Sequence, residues 1–179
     1  MKKLLVPKKT SSQAGFTLIE ILVVIVIIGL LATIGASNFR SSQIKSRDAK
    51  RKADLKHVSE ALEMFYNDHG TYPDPNVADG RLSDETGAVI DWGGEFSDTQ
   101  GTIYMTVLPE DPTATNSYYY DPRVNSYQLY ARLENAQDRD IPAEGMVYSD
   151  TDCGVQTCNY GVSSSNTTPV EGHSLVSDS

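Results

Sequence analysis

The chain carries one long uninterrupted apolar segment near its start. Residues 16–36 contain no Pro, Lys, Arg or Asp, and Ile and Val dominate them. As a helix this segment would be about 31 Å long, which is close to the thickness of the hydrocarbon core of a bilayer. A lone segment in lipid has to satisfy its own backbone hydrogen bonds and therefore forms a helix. The pattern predicts a membrane-spanning helix over residues 16–37, with a helix or strand buried in a protein core as the alternative.

A second helical pattern follows the apolar segment. Side chains at steps of three and four positions form a stripe that is apolar at Ile44, Leu55, Val58, Leu62 and Phe65, with Asp48 and Arg51 at the intermediate positions. This spacing predicts an amphipathic helix over residues 38–70 that presents a stripe to a sheet. Gly70 is a good residue to end it. The two patterns together predict one helix from Phe16 to about Asp68.

The rest of the chain has strand and loop patterns. Residues 74–102 are rich in Asp, Gly, Ser and Thr, which predicts a long surface loop with a short strand at 88–91. Strands are predicted at 117–120 and 126–133, and the second alternates apolar with polar residues, as a half-buried antiparallel strand does. The expected fold class is α+β, with a long N-terminal helix packed on a small antiparallel sheet. Residues 71–162 would form a globular head and residues 163–179 a polar, loosely ordered tail.

Charge is distributed unevenly along the chain. Residues 1–15 carry four lysines and no acid, residues 16–37 carry only Glu20, residues 38–56 have a net charge of +5, and residues 57–179 have a net charge of −17. The acidic majority argues against direct nucleic-acid binding, because phosphates attract basic surfaces. We call residues 38–56 the collar. The collar is either a solvated face or a surface that contacts the acidic heads of neighbouring subunits.

The residues around position 15 indicate processing. In a secretory leader the small residues of the cleavage site follow the apolar core, whereas Ala14 and Gly15 precede it here. A cut after Gly15 would remove the lysines and give Phe16 a free α-amino group. Glu20 is costly in a membrane, by about 3 kcal/mol, and should have a partner. The Phe16 amine of the same chain or of a neighbour is the candidate; a Glu20 that reaches the headgroups or is protonated is the alternative.

The run GFTLIEILVVIVIIGLLA, behind a short lysine-bearing leader, resembles the prepilin N-terminus of type IV pilins and type II secretion pseudopilins. The resemblance is close over about residues 9–36, and residues 108–134 resemble the major pseudopilin. It implies a pilin-like fold and removal of the leader, residues 1–15, by prepilin peptidase between Gly15 and Phe16. It also implies N-methylation of Phe16 and a role for Glu20 in assembly, through pairing with the amino terminus of a subunit already in the filament.

The resemblance further implies a location and partners. The precursor would cross the inner membrane once, with its N-terminus cytoplasmic, and contact membrane lipid before assembly. An assembly platform and an ATPase would then build a homo-oligomeric helical filament, periplasmic or extracellular. The predicted function is a structural subunit of a type IV pilus-like filament, or alternatively the major pseudopilin of a type II secretion system. A membrane-anchored receptor or DNA-uptake component is a further alternative. An anchored enzyme is disfavoured because common catalytic motifs are missing from the sequence.

The remaining candidates lie near the C-terminus. Cys153 and Cys158 are predicted to form a disulfide outside the membrane, because a zinc site needs further ligands and only His173 is near in sequence. The family's calcium-binding loop makes four aspartates weak calcium candidates, although no matching motif is present and a solvated acidic loop is the alternative: Asp138, Asp140, Asp150 and Asp152. No other cofactor is predicted.

Overall fold

The structure is a computed structural model that describes residues 15–73 and 80–178, with residues 34–38 described by their helical backbone alone. The chain divides into two compact units, Met1–Ser41 and Ser42–Ser179, and a single helix contributes residues to both. The predicted leader lies outside the described residues except for Gly15.

Helix α1 spans Leu18–His69, close to the predicted bounds. It ends where Gly70 adopts a φ of +72°, and the Gly70 amide donates to the carbonyl of Tyr66 at 2.7 Å. A glycine ends a helix well in this left-handed conformation because it has no Cβ. Over the ranges that the structure describes, no helix has the combination of length and apolar character needed to cross a membrane.

The described part of the head contains eleven short strands. The strands are β1 (Leu82–Ser83), β2 (Val89–Ile90), β3 (Phe96–Ser97), β4 (Ile103–Met105), β5 (Tyr119–Arg123), β6 (Ser126–Ala131), β7 (Met146–Tyr148), β8 (Asp152–Cys153), β9 (Gln156–Thr157), β10 (Tyr160–Ser163) and β11 (Leu175–Ser177). The main sheet is antiparallel with strand order β10-β6-β5, and the other strands form two-stranded pairs. The α+β fold class predicted from the sequence is therefore confirmed.

The hairpin of the main sheet is tighter than predicted. We expected residues 121–125 to connect the two strands, but Asp121, Pro122 and Arg123 pair with β6, and only Val124 and Asn125 form the turn. Asn125 supports this turn with a φ of +60°, a conformation that asparagine tolerates better than most residues. Pro122 is compatible with pairing because β5 is an edge strand.

The core of the head lies between α1 and the main sheet. The predicted stripe of α1 is fully buried at Leu55, Val58, Leu62 and Phe65, whereas Ile44 is half-buried. The buried part packs in one cluster with Tyr127 and Leu129 of β6. Each buried Leu or Phe side chain contributes about 1.5–3 kcal/mol to folding. The region predicted as a surface loop also supplies core residues, because Leu82 and Phe96 are fully buried. That expectation was wrong for these two positions, although the short strand within 88–91 is confirmed as β2.

The C-terminal segment is an ordered part of the head, so the prediction of a loosely ordered tail was wrong. Strand β11 pairs with β7, and the Gln128 amide donates to the carbonyls of Thr168 and Glu171. The Tyr130 hydroxyl donates to the Pro169 carbonyl at 2.6 Å. This segment covers the outer face of β6. As a result all six residues of β6 are buried, rather than every second one.

Candidate assembly site

The predicted cleavage site lies just before the first turn of α1. Gly15, Phe16 and Thr17 are exposed and not helical, and the helix begins at Leu18. The Phe16 side chain is 85% exposed. Proteases cut exposed segments outside regular structure most readily, because the backbone can enter an active site there. The local conformation at Gly15 and Phe16 therefore suits cleavage between them.

Thr17 and Glu20 form a reciprocal cap at the start of α1. The Thr17 amide and hydroxyl both donate to Glu20 Oε2 at 2.7 Å, and the Glu20 amide donates to the Thr17 hydroxyl oxygen at 3.3 Å. This is a capping box, which satisfies backbone donors at the first turn of a helix. The cap fixes the position of the Glu20 carboxylate relative to Thr17, the residue just before α1. Thr17 was not among the predicted site residues, although the spacing Thr-x-x-Glu is a recognisable signal for this cap.

Glu20 is surrounded by exposed apolar side chains. Phe16, Ile19, Glu20 and Val23 line one open groove of the helix. Every large apolar side chain from Phe16 to Leu31 is at least 49% exposed. Soluble proteins seldom expose a continuous apolar surface of this kind unless it binds a membrane or another protein. The arrangement can bind apolar partners and, through the Glu20 carboxylate, one cation.

Most basic side chains of the collar form ion pairs within the chain. Arg51 is fully buried and uses all five of its N–H donors, with Nε and Nη2 donating to the Asp111 carboxylate at 2.7 and 2.9 Å. Its other bonds reach Asp48 and Glu134 at 2.8 Å and Thr113 at 3.0 Å. Four further collar residues also form ion pairs within the chain, namely Arg47, Lys50, Lys52 and Lys56.

These pairs shift the pKa values of Glu134 and Arg51. The hydrogen bond from Arg47, together with the bond from Arg51, outweighs the effect of burial and lowers the pKa of Glu134 to about 2. Burial alone would lower the pKa of Arg51, but its bonds to Asp111 and Glu134 raise that pKa further above its ordinary value. Glu134 and Arg51 are therefore both charged at neutral pH. The collar connects α1 to the loop after β6 through Arg47, Arg51 and Lys52.

Cys153 and Cys158 form a disulfide and are both fully buried. The small loop that they close joins β8 and β9 and contacts the segment before β5. The Ser117 amide donates to the Cys153 carbonyl at 3.3 Å, and the Val155 amide donates to the Thr115 carbonyl at 3.1 Å. The disulfide loop thus supports the segment that carries Thr113, one of the partners of Arg51.

Known proteins match this chain over both the helix and the head. The family model described as the prokaryotic N-terminal methylation motif matches residues 10–36. The type II secretion system core protein G of Pseudomonas aeruginosa is 41% identical over 123 residues, which cover 66% of this chain and 82% of that protein. The core protein G of Vibrio cholerae is 31% identical over 115 residues, or 64% of this chain and 75% of that protein.

This chain belongs to the family of pilins and type II secretion pseudopilins. A type IV pilin also matches: the major pilin protein PilA of Myxococcus xanthus is 40% identical over 60 residues, which cover 34% of this chain and 27% of the pilin. No solved structure matches the chain.

The calcium candidates of this family member are not arranged as a cation site. Lys52 Nζ lies 2.6 Å from both Asp138 Oδ1 and Asp140 Oδ2, so an ammonium group already occupies the space between these carboxylates. Asp150 and Asp152 form no metal-binding group with them. Among the described residues, no cluster of three or more His, Cys, Asp or Glu side chains is placed to hold a metal ion. The residues of the loop do not fit calcium in this geometry.

Proposed function

We propose that this chain is the precursor of a filament subunit that prepilin peptidase cleaves between Gly15 and Phe16. The match to the methylation motif over residues 10–36 supports this proposal, as does the exposed, non-helical conformation of the cleavage site. N-methylation of the new Phe16 amino group is part of the same proposal. The subunit has a structural role and no catalytic one, in keeping with its relatives.

Before assembly, the first part of α1 anchors the subunit in the inner membrane with the leader on the cytoplasmic side and the head outside. Apolar side chains are exposed on all faces of this part, and Glu20 is the only charged residue from 16 to 33. Such a surface is stable only against lipid or against other apolar helices. The lysines of the leader favour the cytoplasmic side.

Assembly transfers these helices from lipid to a filament core, where they pack against each other. The observation that carries this proposal is the position of Glu20, a carboxylate held by Thr17 within an otherwise apolar, exposed surface. A charge in such a surface calls for a partner, and cleavage supplies one in the Phe16 amine of a neighbouring subunit. Contacts of this kind do not close on themselves, so they propagate a helical filament. An assembly platform and an ATPase, both other proteins, drive the transfer.

The longer matches support a secretion pseudopilus over a surface pilus. The two core protein G relatives match over 115 and 123 residues, which is much longer than the 52 residues of α1. Their similarity therefore includes the head, which distinguishes members of this family. The pilin match covers 60 residues. We infer that the filament is a short periplasmic one, and a surface pilus remains the alternative outcome of the experiment below.

The experiment compares Glu20→Ala with the wild type in cells that express the native assembly system. Sheared surface material and the periplasmic fraction are separated, and filaments are measured in each by electron microscopy and immunoblotting. We expect wild-type filaments in the periplasm, and we expect Glu20→Ala to insert into the membrane normally but to yield at least tenfold fewer filaments, since one unpaired buried charge is worth more than 1.4 kcal/mol.

Glu60→Ala is the matched control, because it removes an exposed carboxylate from the same helix. Subunits with this substitution should assemble normally. Wild-type filaments in the sheared fraction would favour the surface pilus. Normal filament yield from Glu20→Ala would contradict the role proposed for Glu20.

A further inference from the structure

We propose that the Lys52 ammonium takes the place of a divalent cation in the head, so that the loop after β6 is ordered without metal. We call residues 134–141 the clamp loop. The relevant observation is the disagreement between the calcium site expected from the family and the residues found here. This inference concerns the head alone and does not depend on the filament proposed above.

The contacts of Lys52 have the geometry of a bridging cation. Its Nζ atom lies 2.6 Å from Asp138 Oδ1 and 2.6 Å from Asp140 Oδ2, and so it joins two carboxylates of the clamp loop. The Asp140 amide also donates to Asp138 Oδ1 at 3.0 Å, and the Ile141 amide donates to the Asp138 carbonyl at 3.1 Å. One cation therefore holds a tight turn whose carboxylates would otherwise repel each other.

Lys52 is itself held in position by the surrounding structure. Its Nζ lies 5.5 Å from the ring centroid of Tyr160, close enough for a cation–π interaction. Its side chain is 25% exposed. Burial alone would lower the pKa of Lys52, but hydrogen bonds to Asp138 and Asp140 raise it, so the side chain stays charged.

The start of the clamp loop is fixed by the preceding turn of α1. The Asp48 carboxylate accepts hydrogen bonds from the amides of Glu134 and Asn135, both at 2.9 Å. Asp48 and Lys52 are four residues apart and lie on one face of the helix. Together they fix the beginning and the end of the clamp loop on α1, which is the ordering that a bound cation would otherwise supply.

A calcium ion would need six to eight oxygen ligands. In the described structure, two carboxylates of the clamp loop share one ammonium, and no third acidic side chain joins them. The nearby Arg139 lies 3.7 Å from Asp140 Oδ1, but its side chain is 94% exposed, so it compensates little charge. When Lys52 is removed, these two carboxylates face each other without a counter-charge, and calcium at millimolar concentration can neutralise them with water completing its set of ligands.

The test is hydrogen exchange of the clamp loop in the full chain, purified in detergent, with either EDTA or about 1 mM calcium chloride, a concentration suited to extracellular calcium modules. We expect the wild type to exchange equally in both conditions. Lys52→Ala should exchange roughly three- to tenfold faster in EDTA, the effect of losing two partly exposed ion pairs. Calcium should restore its protection. The control, Lys56→Ala, removes the same charge from an exposed side chain one turn away and should behave as the wild type.

Adding Asp138→Asn to Lys52→Ala should abolish the response to calcium. Three results would overturn the proposal. One is wild-type protection that is lost in EDTA. Another is an unchanged clamp loop in Lys52→Ala. The third is a loosened loop in Lys52→Ala that calcium does not restore, which would show that the ammonium and a divalent cation are not equivalent there.

Discussion

Replacing Arg51 by methionine should destabilise the head by about 3 kcal/mol, because it removes the cation from a buried charge cluster. Arg51 is fully buried, and the Asp111 side chain beside it is completely inaccessible to solvent. Methionine fills much of the same volume without the charge. The variant therefore tests the electrostatic role of Arg51 with little change in packing.

The size of the effect depends on the hydrogen bonds and ion pairs that the partners of Arg51 keep after the substitution. Breaking a buried ion pair by removing one member typically costs 3–5 kcal/mol, because the other charge is left unpaired. Here Asp111 keeps a hydrogen bond from the Thr113 amide at 2.7 Å, Asp48 keeps the two clamp-loop amides, and Glu134 keeps Arg47. These remaining donors place the expected loss at the lower end of that range.

The assay is urea unfolding of the full chain in detergent, monitored by fluorescence of the single Trp92, which packs against the head core. Arg139→Met is the matched control, since this arginine side chain is 94% exposed and its loss should change the unfolding free energy by less than about 0.5 kcal/mol. A loss below 1 kcal/mol for Arg51→Met would refute the reasoning.

The pH dependence provides a second signature of the same cluster. Without the hydrogen bond from Arg51 the pKa of Glu134 in the folded state should be higher than its wild-type value of about 2, so the folded variant binds a proton there more readily. The stability of the variant relative to the wild type should therefore rise as the pH falls from about 4.5 towards 2. A stability gap that is constant over this pH range would indicate that Arg51 acts through packing instead.

Two further predictions concern the head. Because the folded pKa of Glu134 is about 2 against an ordinary value of 4.5, its contribution is complete above pH 4.5 and is lost as the pH falls towards 2. After allowance for its partial exposure, this contribution is worth about 2 kcal/mol. The unfolding free energies of Glu134→Gln and the wild type, measured as the pH is lowered, should therefore converge near pH 2. A constant difference between the two curves would contradict the prediction. Replacing both Cys153 and Cys158 by serine should lower the unfolding free energy by about 2 kcal/mol, which is the loop-closure effect of a six-residue ring. Urea unfolding measures the change. An unchanged unfolding midpoint would show that the loop needs no cross-link.

Local patterns in the sequence predicted the elements whose causes are local. The three-and-four spacing through Leu55, Val58 and Leu62 located the buried stripe of α1, and Gly70 marked its end. The hairpin of β5 and β6 followed from strand patterns and turn residues. The Cys153–Cys158 pair is also local, because the two residues are only five apart.

The features that the sequence did not predict arise from contacts distant along the chain. The spacing places Arg51 on the striped face of α1, but nothing local reveals that Asp111 and Glu134, which are 60 and 83 residues away, neutralise it. Likewise β6 alternates as a half-exposed strand would, and only the C-terminal segment folding over Tyr130 buries its second face. The Thr17 cap could have been predicted, because the Thr-x-x-Glu spacing that indicates it is local.

The central claim is that the Phe16 amine, freed by cleavage, pairs with Glu20 of a neighbouring subunit. The most direct test couples amines to carboxylates with a zero-length carbodiimide reagent in filaments assembled from a mixture of isotopically light and heavy subunits, followed by peptide mass spectrometry. We predict a cross-linked pair of peptides, one beginning at Phe16 and one containing Glu20, that joins light to heavy chains and is absent when Glu20→Gln subunits are mixed. Subunits that retain residues 1–15 in the filament, or cross-links found only within chains of one label, would contradict the account.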